Sequence, residues 1–317
     1  MENLKKPFKT SPISCIIVSL YKGSFSMKTY EDLAGDGGSD IIGQVTKLGE
    51  KLRGRLDKIK HKVALMSGKG GVGKSSITAN IASCLADRGY KVGILDADLN
   101  GPSIAHLLGV GKDLQMKDDG VEPGIGHQGI KIMSMEMLLK SDDTPVMWTE
   151  DASATAVWVS TMESTAIREL LADTNWGELD YLLIDMPPGS DRIDNIRSLI
   201  PELAGAVEIT IPSMLSQHIV TKSITKNNKM GVPIIGLVEN MATYVCPHCE
   251  KEGKLFAGDD VEKLTERKEI PYIGKIPFDT RVSQSKSGQL FFAEFKDSVT
   301  GKAIADTVDN IEKFIKK

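Results

Sequence analysis

The stretch KVALMSGKGGVGKSS at residues 62–76 decides how this chain folds. Residues 62–66 are an apolar run of strand length, a glycine-rich turn follows, and residues 75–87 form an amphipathic run of helical length. Glycines allow the backbone N–H groups of such a turn to point at phosphate oxygens, and the helix N-terminus adds a partial positive charge. The stretch therefore has the strand–loop–helix context that a GxxxxGKS phosphate-binding loop requires.

We expect this loop to bind the phosphates of ATP. The residues expected to contact the nucleotide are Gly68, Lys69, Gly70, Gly71, Val72, Gly73, Lys74, Ser75 and Ser76. Lys74 is expected to reach the β- and γ-phosphates as a catalytic cation, and the Ser75 hydroxyl to ligate Mg²⁺. A glycine-rich turn that binds no nucleotide is the alternative, but the match of the whole motif in its proper context favours the phosphate loop. Lys69 is not required by the general motif, and a solvated surface lysine is the alternative for that position.

Two further apolar runs end in carboxylates. Residues 92–98 read VGILDAD, and residues 181–189 read YLLIDMPPG. Because a doubly wound sheet binds ligands at the carboxyl ends of its strands, these acids are predicted to flank the phosphate loop. Asp185 is expected to hold Mg²⁺, Asp96 to lie near the metal, and Asp98 to position the attacking water. Taken alone, each acid is more typical of a turn or of a helix N-cap.

Seven apolar runs of strand length recur along the chain, with helix-length amphipathic stretches between most of them. They are residues 62–66, 92–95, 130–133, 181–184, 207–211, 234–238 and 272–276. Continuous apolar strands that alternate with helices indicate a mostly parallel sheet with both faces covered. The predicted fold class is therefore α/β, a doubly wound P-loop NTPase.

One α/β domain is predicted over residues 61–317, preceded by a helix over residues 40–60 in which apolar residues recur every three or four positions. The favoured interpretation of this helix is packing on the domain, and a partner-binding or membrane-surface helix is the alternative. Residues 1–39 are interpreted as a disordered or misassigned leader, with Met27 as a second candidate start. A targeting peptide is the alternative for that segment.

Composition and cysteine usage exclude several classes of protein. A net charge of −4 with 26% charged residues gives no electrostatic reason to expect nucleic-acid binding. No apolar run reaches the length of about 18 residues that predicts a transmembrane helix, so no membrane association is expected. Four cysteines in 317 residues are too few for a disulfide scaffold, which makes a reducing, cytoplasmic location the expectation.

Two of the cysteines form the motif CPHC, with Cys246 and Cys249 at its ends. A lone CxxC is compatible with a redox pair, with half of a zinc site or with half of an iron–sulfur site. The redox interpretation is disfavoured because the predicted fold is not thioredoxin-like. Cys84 falls in the predicted helix after the phosphate loop and Cys15 in the leader, so neither is a good third ligand. A four-thiolate site would then draw on two chains, as a two-fold homodimer allows.

Several motifs together carry a resemblance to a known family. The string from Gly68 to Ser75, with its early Lys69, resembles the deviant Walker A motif of the MinD/ParA/nitrogenase-iron-protein class. Over about residues 60–315 the chain resembles the Mrp/ApbC/NUBPL group of iron–sulfur cluster carrier ATPases. The further strings that match are DAD at 96–98, GPS at 101–103, PVMW at 145–148, DMPPG at 185–189, GLVENM at 236–241, CPHC at 246–249 and GKIPFD at 274–279.

This resemblance implies a homodimer that bridges a 4Fe-4S cluster between the paired cysteines. It also implies that ATP binding and hydrolysis drive cluster transfer to recipient apoproteins, with cluster scaffold proteins as further partners. Lys69 would then contact the partner subunit's phosphates, and Asn240 would recognise the adenine. The chain departs from the group at residues 190–192, which read SDR where TGD is usual, and this puts the switch mechanics in question.

Two other functions remain open from the sequence. One is a MinD/ParA-like positioning ATPase that recruits partners and has a structural CxxC, with zinc or without metal. It would need a basic amphipathic tail, for which residues 304–317 are the candidate, although a last domain helix explains that pattern as well. The other is electron transfer resembling that of the nitrogenase iron protein, whose cluster cysteines are widely separated in sequence.

Overall fold

Strands and helices alternate along the chain. This computed structural model describes residues 41–139, 156–189, 192–246, 248–249, 251–256, 261–284 and 286–317. The strands are β1 Ile59–Ser67, β2 Val92–Asp96, β3 Met116–Lys117, β4 Gly120–Val121, β5 Gly124–Ile125, β6 Lys131–Ser134, β7 Leu179–Asp185, β8 Gly205–Thr210, β9 Ile234–Val245, β10 Glu252–Gly253 and β11 Tyr272–Asp279. The helices are α1 Ile41–Leu56, α2 Lys74–Asp87, α3 Ile104–Leu107, α4 Ala156–Asp173, α5 Ile193–Leu199, α6 Met214–Lys229, α7 Val261–Lys268, α8 Phe291–Phe295 and α9 Val299–Ile315. All seven predicted strands are confirmed.

The main sheet is mostly parallel, with β1 at its centre. Its order is β10-β9-β8-β1-β7-β2-β6-β5, and β11 also pairs with β9. The strands β6, β2, β7, β1, β8, β9 and β11 pair in parallel, whereas the short strands β10 and β5 are antiparallel additions. The carboxyl ends of β1, β2, β7 and β8 therefore lie along one edge of the sheet, where the loops that follow them meet.

Helices cover both faces of this sheet. Val63 and Leu65 of β1 belong to a core cluster that includes apolar residues of α2 and α9, whereas Ala64 and Met66 belong to a second cluster with α1, α4 and α5. Successive side chains of a strand point to opposite faces, so each apolar run serves both layers. The predicted doubly wound α/β fold is confirmed.

The prediction of a helix over residues 40–60 is wrong at the C-terminal end of that helix. Helix α1 ends at Leu56, and β1 begins at Ile59, two residues before the predicted domain boundary at 61. Ile59 follows Leu56 at helical spacing, which explains the error. It lies instead opposite Leu179 in the sheet, where it is 2% exposed. Pairing with β7 therefore wins over the local helical pattern.

Some predictions fall outside the described residues. These are the leader over residues 1–39, the PVMW string at 145–148 and the first two residues of the SDR departure at 190–192. Among the residues that are described, no helix is long and apolar enough to cross a membrane.

Candidate functional site

The phosphate loop joins the end of β1 to the start of α2. Gly73, which immediately precedes α2, has φ 82°, a left-handed conformation that glycine adopts without strain. A Cβ atom on Gly73 would lie 2.4 Å from Asn240 Nδ2, and one on Gly68 would lie 2.9 Å from the backbone nitrogen of Val220. The loop is thus packed between β9 and α6 so closely that glycine is required at both positions.

Asp185 lies at the centre of a buried polar cluster beneath this loop. Lys74 Nζ and Ser75 Oγ each donate a hydrogen bond to Asp185 Oδ2 at 2.6 Å, and Thr78 Oγ1 donates to Oδ1 at 2.7 Å. Asp185 is fully buried and Lys74 is 7% exposed. Burial makes this ion pair strongly interdependent, because removing one partner would leave the other charge uncompensated.

The donor set at this point fits Mg²⁺. Magnesium prefers hard oxygen ligands in a compact arrangement and usually keeps several waters. The Ser75 hydroxyl and the Asp185 carboxylate provide two such oxygens at the start of α2, beside the loop expected to hold phosphates. When bound there, Mg²⁺ would neutralise phosphate charge.

Asp96 is buried at the end of β2, opposite Asp185 in the sheet. Its Oδ2 accepts hydrogen bonds from the backbone N–H groups of Ser103 and Ile104 at 3.0 and 3.1 Å, and from the Ser134 hydroxyl at 3.2 Å. Burial, together with the nearby charge of Asp185, raises the pKa of Asp96 to about 7. Asp96 therefore organises the segment after β2 and the start of α3, as well as lying near the expected metal position.

Asp98 lies at the start of the loop after β2 and is half-buried. Its Oδ1 accepts a hydrogen bond from the backbone N–H of Gly101 at 3.2 Å, and its own N–H donates to Asp96 Oδ1 at 3.2 Å. These contacts make Asp98 the first residue of a tight turn. The expected role in positioning water stays a prediction.

Lys69 and Asn240 lie at the phosphate loop in different ways. Lys69 is half-buried, its carbonyl accepts from the Ser67 hydroxyl at 3.1 Å, and its amine has no hydrogen-bonding partner among the residues that the structure describes. Asn240 is 8% exposed, and its Nδ2 donates to the Val72 carbonyl at 2.9 Å. The structure thus places Asn240 against the loop backbone, and its predicted recognition of adenine stays a prediction.

The cysteine pair lies at the tip of a hairpin formed by β9 and β10. Cys246 directly follows β9, and its N–H donates to the Lys251 carbonyl at 3.1 Å, which closes the turn. Hydrogen bonds from the backbone N–H groups of His248 and Cys249 hold the pKa of the Cys246 thiol below its ordinary value. A thiolate held in this way is a ready metal ligand.

The cysteine hairpin brings two thiols together in the part of the chain that the structure describes. Cys246 is half-buried and Cys249 is exposed. In the described parts of the chain, no group of three or more histidine, cysteine or acidic residues is arranged to hold a metal. Cys84 lies on α2, where burial raises the pKa of its thiol to about 11. Cys84 is therefore unsuited as a third ligand, as the sequence indicated.

Sequence reasoning missed two residues of this region. Thr78 contacts Asp185 from the second turn of α2, and its spacing of four from Lys74 places both on one helix face, a signal that could have identified it. Glu163 on α4 contacts Asn100 and Arg192, and no sequence motif marks it. Its partners come from distant parts of the chain, so only the tertiary structure reveals it.

Comparison with known proteins identifies relatives over most of the chain. The sequence model of the family described as ParA: NUBPL iron-transfer P-loop NTPase matches residues 58–312. The iron-sulfur cluster carrier protein of Saccharolobus solfataricus is 40% identical over 275 residues, covering 86% of this chain and 90% of that protein. The cytosolic Fe-S cluster assembly factor NUBP2 homolog of Dictyostelium discoideum is 39% identical over 264 residues, covering 80% and 95%.

Solved structures agree with this relationship. A nucleotide-binding protein from Archaeoglobus fulgidus, in complex with ADP, is 34% identical with a TM-score of 0.61, covering 84% of this chain and 93% of that chain. The cell division ATPase MinD of Pyrococcus furiosus has a TM-score of 0.53 at 21% identity, covering 80% and 98%, and shares the fold. The chain therefore belongs to the family of NUBPL iron-transfer P-loop NTPases.

Proposed function

We propose that this protein binds and hydrolyses ATP and carries an iron–sulfur cluster to recipient apoproteins. Two subunits would each contribute Cys246 and Cys249 to one 4Fe-4S cluster, which is their cargo. Cluster scaffold proteins would supply it, and the cytoplasm is the proposed location. The relatives named as iron-sulfur cluster carrier and cytosolic Fe-S cluster assembly factor support this proposal.

The observation that carries the proposal is that β9 joins the nucleotide loop to the cysteines. Asn240 on β9 hydrogen-bonds to the phosphate loop through the Val72 carbonyl, and the same strand leads directly to Cys246. Met241 lies between them with φ 54°, a strained conformation for a side chain of this kind. A shift of the loop on nucleotide binding would therefore be transmitted along one strand to the cluster ligands.

The residues of the nucleotide site have separable roles in the proposed hydrolysis. Lys74 would move from Asp185 to the β- and γ-phosphates, while Ser75 and Asp185 hold Mg²⁺. Asp98 would orient the attacking water at the end of β2. Lys69, whose amine has no hydrogen-bonding partner among the described residues, would contact the nucleotide of the second subunit.

The positioning-ATPase alternative finds less support in this chain. It relied on the amphipathic residues 304–317 as a surface-binding tail. Ile304, Val308 and Ile311 of α9 are instead buried in the core, at 2%, 0% and 2% exposure. Packing within the domain thus accounts for the apolar face of this helix.

Anaerobic reconstitution with iron and sulfide tests the proposal. Wild type is expected to bind about four irons per dimer with a broad visible absorption, as a Cys₄-ligated cluster requires. Cys246→Ala/Cys249→Ala should lose both signals, while Cys84→Ala, the matched control, should retain them. ATP turnover is measured on the same samples. A double variant that still binds the cluster, or a wild type that binds zinc or no metal, would overturn the carrier function.

A further inference from the structure

Glu163 is a buried carboxylate that joins two chain segments beside the nucleotide site. It lies on α4 and is 2% exposed. Asn100 Nδ2 donates to its Oε1 at 2.8 Å, and the Arg192 guanidinium pairs with its Oε2. Asn100 belongs to the loop after β2, which also contains Asp98, and Arg192 immediately precedes α5 in the connection after β7.

We propose that Glu163 is a positioning residue that holds these two segments in the relative placement that ATP hydrolysis requires. The inference rests on the ATPase activity proposed above and assigns part of its control to a residue outside the nucleotide-binding motifs. Glu163 acts through Asn100 on the Asp98 turn and through Arg192 on the segment after Asp185.

On the Asp98 side of this connection, a hydrogen bond closes the turn that contains Asn100. Asp98 accepts from the N–H of Gly101, so Asn100 lies within the turn that this hydrogen bond closes. A hydrogen bond from Asn100 to a buried carboxylate therefore restricts where the whole turn can lie. Because a misplacement of about 1 Å can cost about 100-fold in rate, restriction of a water-positioning group matters for turnover.

The Arg192 side connects to the segment that follows Asp185. Strands β2 and β7 are neighbours, and the N–H of Ala97 donates to the Asp185 carbonyl at 2.9 Å, so the two segments begin side by side. Glu163 on α4 contacts both connections, at Asn100 and at Arg192. Arg192 is the last residue of the SDR string at 190–192, so the pairing with Glu163 depends on that arginine.

Asp173 on the same helix provides a matched comparison. It is also a buried carboxylate with a cationic partner, Lys51, but that partner lies on α1 and not in either segment beside the nucleotide site. Neutralising Glu163 and neutralising Asp173 therefore both remove the charge of a buried carboxylate on α4. Only the change at Glu163 should reach the nucleotide site.

The test is steady-state ATPase kinetics of Glu163→Gln, Asn100→Ala, their double variant and Asp173→Asn, with thermal melting of each. We expect Glu163→Gln to lower kcat about 10-fold while KM for ATP stays within about 2-fold, because placement rather than phosphate binding is lost. Asp173→Asn should keep kcat within about 2-fold even if it melts earlier. Asn100→Ala should lower kcat by a smaller factor, and the double variant should lose less than the product of the two single effects, since Asn100 acts through Glu163.

The outcomes separate this inference from the proposed function. If wild type turns over ATP but Glu163→Gln does so at the wild-type rate, the role of Glu163 is overturned and the ATPase proposal stands. The same holds if Asp173→Asn is as impaired as Glu163→Gln. Wild type without ATP turnover overturns the ATPase proposal and the inference with it. If Glu163→Gln does not fold, Asn100→Ala decides, because Asn100 is surface-exposed: an unchanged kcat in that variant overturns the inference.

Discussion

Strand β9 contacts the phosphate loop through Asn240 in its middle and leads into the cysteine hairpin at its C-terminal end, and these two regions differ in how completely one chain builds them. At the phosphate loop, the buried Lys74 and the half-buried Ser75 both hydrogen-bond to the buried Asp185 of the same chain. Past the C-terminal end of β9, Cys246 leads into the turn of the hairpin with β10, where Cys246 is half-buried and Cys249 is exposed. The phosphate loop thus finds its polar partners within one chain, whereas the hairpin carries two of the four thiolates that the proposed cluster would need.

The difference has a chemical origin. A phosphate loop needs mainly backbone N–H groups and a helix N-terminus, which a short stretch of chain supplies by itself. A cluster with four thiolate ligands needs more cysteines than this hairpin carries. One chain therefore forms the phosphate loop, whereas under the proposed function a second subunit would contribute Lys69 to the nucleotide and two further thiolates to the cluster.

The largest expected effect distinguishes the phosphate loop from the cysteine hairpin. Lys74→Ala should lower kcat for ATP by about 100- to 1000-fold, because a preorganised charge at the transferred phosphate is lost. Cluster loading at Cys246 and Cys249 should remain. Lys60→Ala is the control, since Lys60 on β1 also pairs with a carboxylate of β7, Asp180, at 2.7 Å, but does so at the surface. Loss of cluster loading in a folded Lys74→Ala variant would show that the phosphate loop and the cysteine hairpin do not act independently.

The second prediction compares Cys246 in the hairpin with Cys84 on α2, the helix that follows the phosphate loop. Cys246 should react with iodoacetamide at pH 7 at least about 100-fold faster than Cys84, because reactivity follows the thiolate fraction and access. Backbone N–H groups lower the pKa of Cys246, whereas burial raises that of Cys84 to about 11. Cys246 should also remain reactive down to a lower pH than a model thiol, because its pKa is lower. Peptide mass spectrometry measures both rates, and unfolding in guanidinium should bring them close together; similar rates in the folded protein would contradict the assigned environments.

The smallest expected effect concerns β9, the strand that connects the phosphate loop to the cysteine hairpin. Asn240→Ala removes the hydrogen bond to the Val72 carbonyl, worth about 1 kcal/mol, so ATP affinity should fall about 5-fold. Cluster release on ATP addition should slow in the same variant, as calorimetry and cluster-transfer assays would measure. Asn310→Ala, which removes a similar amide bond to the Ile273 carbonyl on β11, is the matched control. Unchanged ATP-dependent release in Asn240→Ala would remove β9 as the route of coupling.

Local patterns predicted most of the scaffold and part of the site. Apolar runs bounded by turns located every main parallel strand, and the GxxxxGKS string located the phosphate loop. The structure brings Lys74, Ser75 and Asp185 together as the motifs indicated. The prediction failed at Ile59, which was assigned to the first helix because it follows Leu56 at helical spacing. Ile59 lies in β1 instead, because it pairs with Leu179 of β7.

The sequence by itself determined the fold class, the phosphate loop and the presence of a paired thiol motif, because each depends on residues adjacent in the chain. Only the tertiary structure decided that Asp96 is buried among backbone donors of the α3 segment, and that Asn240 packs against Gly73. It also decided that Glu163 joins Asn100 to Arg192. These contacts connect residues far apart in sequence, and their energies depend on burial and register, which no local pattern encodes.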